Sequence, residues 1–467
     1  MSTHSCVIAP HLKDSLSSGA DGKYGRMFPD LPGLETDEDY LLALGRTGSM
    51  MDIESEQGDT NRKSDNPRIP AGFPIFGQFI AHDITADRSL LHHHARLEEL
   101  RNFRSPRLDL ECLYAAGPTG DPHLYDLDDL DKFLLGVNDI GKLDDLPRNR
   151  QGRALVGDPR NDVHLLVSQL HLAFLKFHNR IVDLLREQGV RSSDVFNEAR
   201  RLVRWHYQWI VVHEFLPLSV GEALVDNLLM NGPKFYTFDE YPFIPVEFAD
   251  AAYRFGHSQI RTIYALNDTG AKGTIFPDYA GTCPVLHDHV VDWTYFFQVD
   301  GNRPPQASKK IDTSLAHSLI NLPASVVGET EIPEQHSLAY RDLERGIALD
   351  LPSGEAISRA VGVEPLTASE VGLSKIGYHD ETPLFYYILK EAEVRNGGER
   401  LGDVGGRIVA EVLLGLIDAD PNSYRNADIE WSPSLPGIQE GHFTIADLLR
   451  FAGAVSNTRS LMKGAGL

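Results

Sequence analysis

Between Val163 and Leu185 the chain reads VHLLVSQLHLAFLKFHNRIVDLL, with Leu166, Leu170, Phe174, Phe177 and Ile181 recurring at three- and four-residue steps. That period belongs to an α-helix, and a helix of this length with one apolar face has to be packed against others. The same logic places shorter helices elsewhere. FPIFGQFIAHDI, Phe73 to Ile84, forms one after Pro74. Another is N-capped at Ser193 or Asp194, runs through EARRLVRWHYQWIVVHEFL and should be halted by Pro217. Further helices are expected at Ser337 to Ile347, Pro383 to Glu393, Gly402 to Ile417 and Ile445 to Phe451. Thr444 with Asp447 resembles a capping box for the last of these. Long alternating patterns are scarce, so the expected fold class is mainly α.

The chain has 467 residues, which on size alone suggests about three domains. No repeat, low-complexity segment or linker divides it. The expected organisation is a mobile arm over residues 1–25, rich in Ser, Gly and Lys, and one large helical domain over residues 26–467. With 44 basic and 67 acidic residues the net charge is −23, which argues against nucleic acid or an anionic membrane surface as partner. No apolar run reaches the ~18 residues of a membrane span. The segment Met1 to Lys13 lacks the apolar stretch of a secretory signal, so a cytoplasmic address is expected, with export by an unmarked route left open. Three cysteines, Cys6, Cys112 and Cys283, make no disulfide framework and read as free thiols.

Nineteen histidines raise the question of a metal. His92, His93 and His94 read as a solvated loop. His164, His171 and His178 recur every seven residues on the long helix, two turns or about 10.5 Å apart, too far for neighbours to share an ion, and read as structural. His82 keeps different company. Gln78 is i−4 to it and so stacks on the same helical face about 6 Å away, among Phe76, Phe79 and Ile80. Such a polar pair among aromatics needs either a partner or a cavity. His257 has Arg254 at i−3. An imidazole binding a metal beside a guanidinium calls for an anionic counterpart, which haem propionates supply. Taken singly, His82 and His257 are equally well read as hydrogen-bonded core histidines.

Taken together and in order, four motifs resemble the peroxidase–cyclooxygenase superfamily, the animal-type haem peroxidases, and especially its bacterial members. GQFIAHDIT (Gly77 to Thr85) resembles the distal helix; GDPRND (Gly157 to Asp162) with LHLAFLKFHNR (Leu170 to Arg180) resembles the distal arginine segment. YRFGHSQI (Tyr253 to Ile260) resembles the proximal histidine helix, and RDLERG with LPSG (Arg341 to Gly346, Leu351 to Gly354) the segment behind it. The resemblance implies haem between a distal and a proximal helix. His257 would ligate iron, His82 would move peroxide's proton, Arg160 would stabilise the departing oxygen, and Gln78 would hold the distal water or an anion. Arg254 and Arg345 would pair with propionates. The implied activity is reduction of hydrogen peroxide, through a ferryl intermediate, with oxidation of a small donor.

Three departures from the family pattern carry consequences. Asp342 stands where the family usually has Asn beside the proximal ligand; a carboxylate there gives the imidazole more imidazolate character and should lower the iron potential. Ala81 and Val163 stand where mammalian members carry ester-forming Asp and Glu, and Asp162 is one residue out of register, so the haem b should be non-covalent. Chloride is then a poor substrate, and phenols, other one-electron donors, iodide or thiocyanate are expected. The resemblance also implies a calcium site from Asp83 and the loop RLDLECLY, offering Ser105, Arg107 (through its carbonyl), Asp109 and Glu111; the alternative is a carboxylate pair to arginine.

Rival functions remain. A fatty-acid dioxygenase of the same superfamily would carry a tyrosine at the position of Arg254, and the adjacent Tyr253 should point about 100° away on a helix. A catalytically silent adhesion or interaction protein would have no use for His82, Arg160 and His257 together. A non-haem metalloprotein would need a close ligand set that the spacing does not provide.

Overall fold

The computed structural model describes residues 24–53, 62–86, 100–299, 301, 303–328, 330–428, 430–437 and 441–455. The histidine run 92–94, Cys6 and most of the expected N-terminal arm lie outside them. The principal helices are α1 (Glu38–Gly45), α2 (Gly72–Ile84), α3 (Leu165–Glu187), α4 (Val195–Ile210), α5 (Glu222–Asn231), α6 (Leu338–Ala348), α7 (Gly354–Val361), α8 (Leu384–Asn396), α9 (Asp403–Ala419) and α10 (Ile445–Phe451). Strand content among the described residues is three two-stranded ribbons. Tyr24–Gly25 runs parallel to Ile244–Pro245, Asp65–Pro70 antiparallel to Ala307–Lys309, and Tyr264–Ala265 antiparallel to Lys272–Gly273. The fold is mainly α, as the periodicity indicates. Among the described residues no helix is long and apolar enough to cross a membrane.

The core is one continuous apolar cluster that places α2 against α3. Phe79 stacks on Phe174 at 4.6 Å and 16°, while Tyr207 of α4 meets Phe76, Phe79 and Phe174 edge-on. This aromatic wedge fixes which face of α2 turns inward and so where Gln78 and His82 can point. The N–H groups of Ala71 and Gly72 at the start of α2, which no side chain caps, bond instead to the carbonyls of Gln306 and Phe296.

Three local expectations need correction. The fold takes in chain before residue 26, because Tyr24 is buried and pairs in register with Ile244. Pro217 does not halt its helix. After α4 the chain makes a wide π turn, Val211–Phe215, and resumes helically over Leu216–Val220, with Pro217 in the opening turn, where a missing N–H costs little. The proximal segment is a six-residue 3₁₀ turn, Ala252–His257, rather than an α-helix. The capping box on α10 forms in both directions, Asp447 serving where Glu is usual.

Candidate active site

A cavity of about 330 Å³ lies between α2 and the 3₁₀ turn. Gln78, His82 and Arg160 line one side and Arg254 and His257 the other, with Phe73, Phe215, Phe248 and Ile275 among the apolar groups between them. The volume suits a small-molecule or cofactor site. Residues 82, 160 and 257, distant in sequence, therefore share one enclosure.

The proximal side is built on charge. His257 Nδ1 lies 2.6 Å from Asp342 Oδ2, and Asp342 is fully buried on α6. The remaining carboxylate oxygen, Oδ1, accepts from Arg254 at 2.6 Å. In a 3₁₀ turn residues three apart eclipse, so Arg254 and His257 stand one above the other and reach opposite oxygens of one carboxylate. Burial alone would raise the Asp342 pKa; His257 and Arg254 outweigh it and hold the carboxylate below its usual range. Arg254, foreseen as a propionate partner, lines the cavity and is also anchored within the protein. Its three guanidinium nitrogens go to Asp342, Asp250 and the Ala249 carbonyl. Arg345 Nε bonds Asp250 at 3.2 Å, so Asp250 joins the two arginines foreseen as propionate partners.

On the distal side His82 is buried, and burial first, then the Arg160 charge, lower its pKa to about 4. It is a neutral base at rest. Its Nδ1 lies 2.8 Å from Asn161 Oδ1. Arg160 sits at the mouth of a short turn, Pro159–Asp162, that Asp158 caps. Gly157 opens that segment because a Cβ there would lie 2.5 Å from the Cys112 carbonyl oxygen. The Arg160 guanidinium is held by Asp158 at 2.8 Å and 3.0 Å and by the His82 and Thr85 carbonyls. Asp158 also takes Arg104 at 2.7 Å, and Arg160 and Arg104 together hold its pKa far below normal against the cost of burial. Gln78 bonds His164 at 2.7 Å. Asp158, Asn161 and Arg104 are functional candidates that reading single motifs misses. The signal was present in GDPRND, where an acid and an amide flank the arginine.

Three of the foreseen calcium ligands, Asp83, Asp109 and Glu111, lie within electrostatic reach of one another, and burial together with the Asp109 charge raises the Asp83 pKa to about 8. Asp83 accepts the Leu110 and Cys112 N–H groups, and the Ser105 hydroxyl and N–H go to Asp109 and Glu111. Arg107 offers its N–H to the Ser105 carbonyl, and Arg104 pairs with Glu111 at 3.3 Å. Among the described residues no three His, Cys, Asp or Glu side chains converge as a metal site. Arg104 supplies a positive charge beside Glu111, the contact that the arginine alternative calls for.

Among the described residues no carboxylate lines the cavity. Ala81 and Val163 do, and neither carries an oxygen. Asp162 is turned away into a two-pronged pair with Arg148 at 2.8 and 2.9 Å. Tyr253 does reach the wall, contrary to expectation. It stacks on Phe248 at 4.6 Å, and its buried hydroxyl has no hydrogen-bond partner. The imidazoles of His82 and His257 in one cavity, with Phe73, Phe215, Phe248 and Tyr253 in its wall, fit a flat macrocycle carrying a metal.

A family model described as animal haem peroxidase matches residues 128–282, a stretch that holds Arg160 and His257 but neither His82 nor Asp342. Heme peroxidase 2 of Caenorhabditis elegans is 35% identical over 112 residues, 22% of this chain and 16% of that protein. Chorion peroxidase of Aedes aegypti is 24% identical over 311 residues, 62% and 37% respectively. The match therefore spans well under two thirds of these relatives. Among solved structures, peroxidase A from Dictyostelium discoideum superposes with a TM-score of 0.64 at 16% identity, covering 92% of this chain and 93% of that one. A fatty acid alpha-dioxygenase from Oryza sativa does so at 0.58 and 14% identity, covering 95% and 86%. At such identities the likeness is one of fold.

Proposed function

We propose that the chain, which matches the animal haem peroxidase family model over residues 128–282, is a haem-dependent peroxidase that reduces hydrogen peroxide and oxidises small donors. The observation that carries this is the single cavity with a neutral base and a guanidinium on one side and a carboxylate-backed imidazole on the other. Haem b, when bound, supplies the redox-active iron, and His257 would hold it through Nε2. Ala81 and Val163 leave it without an ester.

The protein's own groups divide the rest of the work. Asp342 accepts the His257 Nδ1 proton's hydrogen bond and makes the imidazole a stronger donor, while Arg254 on the other oxygen tempers that effect. His82 takes the proton of incoming peroxide at Nε2 and returns it to the departing oxygen, a task typically worth about 10²- to 10⁴-fold. Arg160 contributes fixed positive charge beside that oxygen. The apolar wall excludes bulk water. Donors are phenols, other one-electron donors, iodide or thiocyanate; without ester bonds and with Asp342 behind the ligand the oxidising power is lower, which makes chloride a poor substrate.

An optical spectrum of the haem-loaded protein, before and after peroxide, tests the reading. A Soret band that changes with peroxide and returns faster with guaiacol or iodide is the expected result, lost in His257→Ala. A His257→Ala protein that keeps both haem and turnover would overturn the ligand assignment. Acidified acetone should extract the porphyrin completely. A second reading, fatty-acid dioxygenation, draws on the unpartnered Tyr253 hydroxyl in the cavity wall; oxygen uptake with linoleate that vanishes in Tyr253→Phe would favour it.

A further inference from the structure

The histidines of α3 spaced by seven do not share a metal, yet two of them reach toward the cavity through hydrogen bonds. His164 Nδ1 lies 3.2 Å from the backbone nitrogen of Val167. A backbone N–H only donates, so Nδ1 is the lone-pair nitrogen. Burial keeps the ring neutral, and its proton is on Nε2. Nε2 lies 2.7 Å from Gln78 Oε1 and donates to it. The amide orientation of Gln78 follows. Its oxygen is spent on His164, and its NH₂ group is left for the cavity that Gln78 lines.

The second tether is one step longer. Asn161 Oδ1 lies 2.8 Å from His82 Nδ1, and Asn161 Nδ2 lies 3.0 Å from His171 Nδ1. An amide oxygen accepts, so His82 donates through Nδ1 and keeps its lone pair on Nε2; the amide NH₂ donates to His171. Turning the amide over would reverse both rings' tautomers together, so His171 is coupled to His82 through it. Asn161 and His171 are buried.

We propose that His164 and His171 are positioning residues of the distal wall. His164 aims the Gln78 N–H groups into the cavity, and His171, through Asn161, holds His82 with the Nε2 lone pair facing it. This deepens the peroxidase reading and rests on it. Hydrogen peroxide both donates and accepts, and the tethers present it with one acceptor and two donors in fixed places. Side chains free to turn by 180° would present the reverse. His178 belongs to the same series but bonds the Tyr114 hydroxyl at 3.0 Å and the Asp131 carbonyl at 2.8 Å, away from the cavity, and so serves as the control.

The test uses haem-loaded protein and three rates: reaction with peroxide, association of cyanide, and oxidation of guaiacol once peroxide has reacted. Cyanide enters as HCN and must also lose a proton to the distal base, so it reports positioning without turnover. His164→Leu and His171→Leu should each lower the peroxide rate by roughly ten- to a hundred-fold, the range of small misplacements near reacting atoms. His171→Leu should lower cyanide association in parallel, with the guaiacol step unchanged. His171→Gln, which keeps an acceptor, should restore most of the loss. Asn161→Leu cuts the same tether from its middle and should match His171→Leu, which keeps the test decisive should one variant not fold. His178→Leu should leave all three rates within two-fold. Leucine variants that load haem and react at the wild-type rate would overturn the proposal, as would His178→Leu slowing peroxide equally. A wild-type protein that binds haem but ignores peroxide would instead sink the peroxidase reading.

Discussion

Replacing Asp342 by Asn is the sharpest probe of the proximal side. The carboxylate is fully buried, and its bond to His257 is 2.6 Å, so solvent screens it little. A charge-assisted hydrogen bond contributes about 1.5–3 kcal/mol where a neutral one contributes about 0.5–1.5 kcal/mol, a difference on the order of 1 kcal/mol. The oxidised iron carries one more positive charge, so the carboxylate stabilises it preferentially. Removing the charge must therefore raise the Fe(III)/Fe(II) potential. For a one-electron couple, tenfold is 59 mV and about 1.4 kcal/mol, so the rise should be about 40–60 mV. Arg254 works in the other direction: Arg254→Leu leaves the Asp342 charge unshared and should lower the potential. Spectroelectrochemical titration of the haem-loaded proteins measures both. An Asp342→Asn potential equal to or below wild type would refute the argument, as would Arg254→Leu moving the same way as Asp342→Asn.

Other outcomes follow from the distal side. Because the His82 pKa is lowered to about 4, its neutral form prevails well below pH 6.5; the peroxide rate should stay flat down to about pH 5 and fall about tenfold per unit below pH 4, in stopped-flow traces on folded protein. A midpoint near pH 6.5 would contradict the burial and Arg160 explanation. Asp158→Asn removes the buried carboxylate that Arg104 and Arg160 share, leaving Arg104 only Glu111 as an acidic partner, and should cost about 3 kcal/mol in denaturant melts while slowing peroxide reduction. An unchanged melt would show that the pair is not needed. With Arg104 supplying the charge at loop 105–111, dialysis against EGTA should shift the melting temperature by less than about 2 °C. Stoichiometric calcium released from the protein would reverse that conclusion.

How much of this could be read in advance depended on how local each signal was. The long helix announced itself through its period, and the α10 capping box through residues three apart. Gln78 and His82 were legible because a helix puts i and i+4 on one face. The proximal pair was legible only through the resemblance, since nothing local joins His257 to Asp342, 85 residues on. Asn161 and Asp158 stayed hidden for the same reason, their partners lying in α2 and in the segment around residue 104. The 3₁₀ turn and the π turn escaped because i+3, i+4 and i+5 ladders draw on the same side chains. Arg254 was seen as a cation seeking an anion; of its two partners Asp250 is four residues before it, while Asp342, 88 residues on, lies beyond the reach of any local signal.

The lack of a carboxylate among the described residues of the cavity wall has a consequence for how the molecule would hold the proposed haem. On the proposed non-covalent binding, haem occupancy obeys mass action. Each hundredfold excess of free haem over its dissociation constant adds about 2.7 kcal/mol to the folded state. Resistance to heat then becomes a gauge of haem supply, and scarcity would return a folded but idle chain that can be recharged.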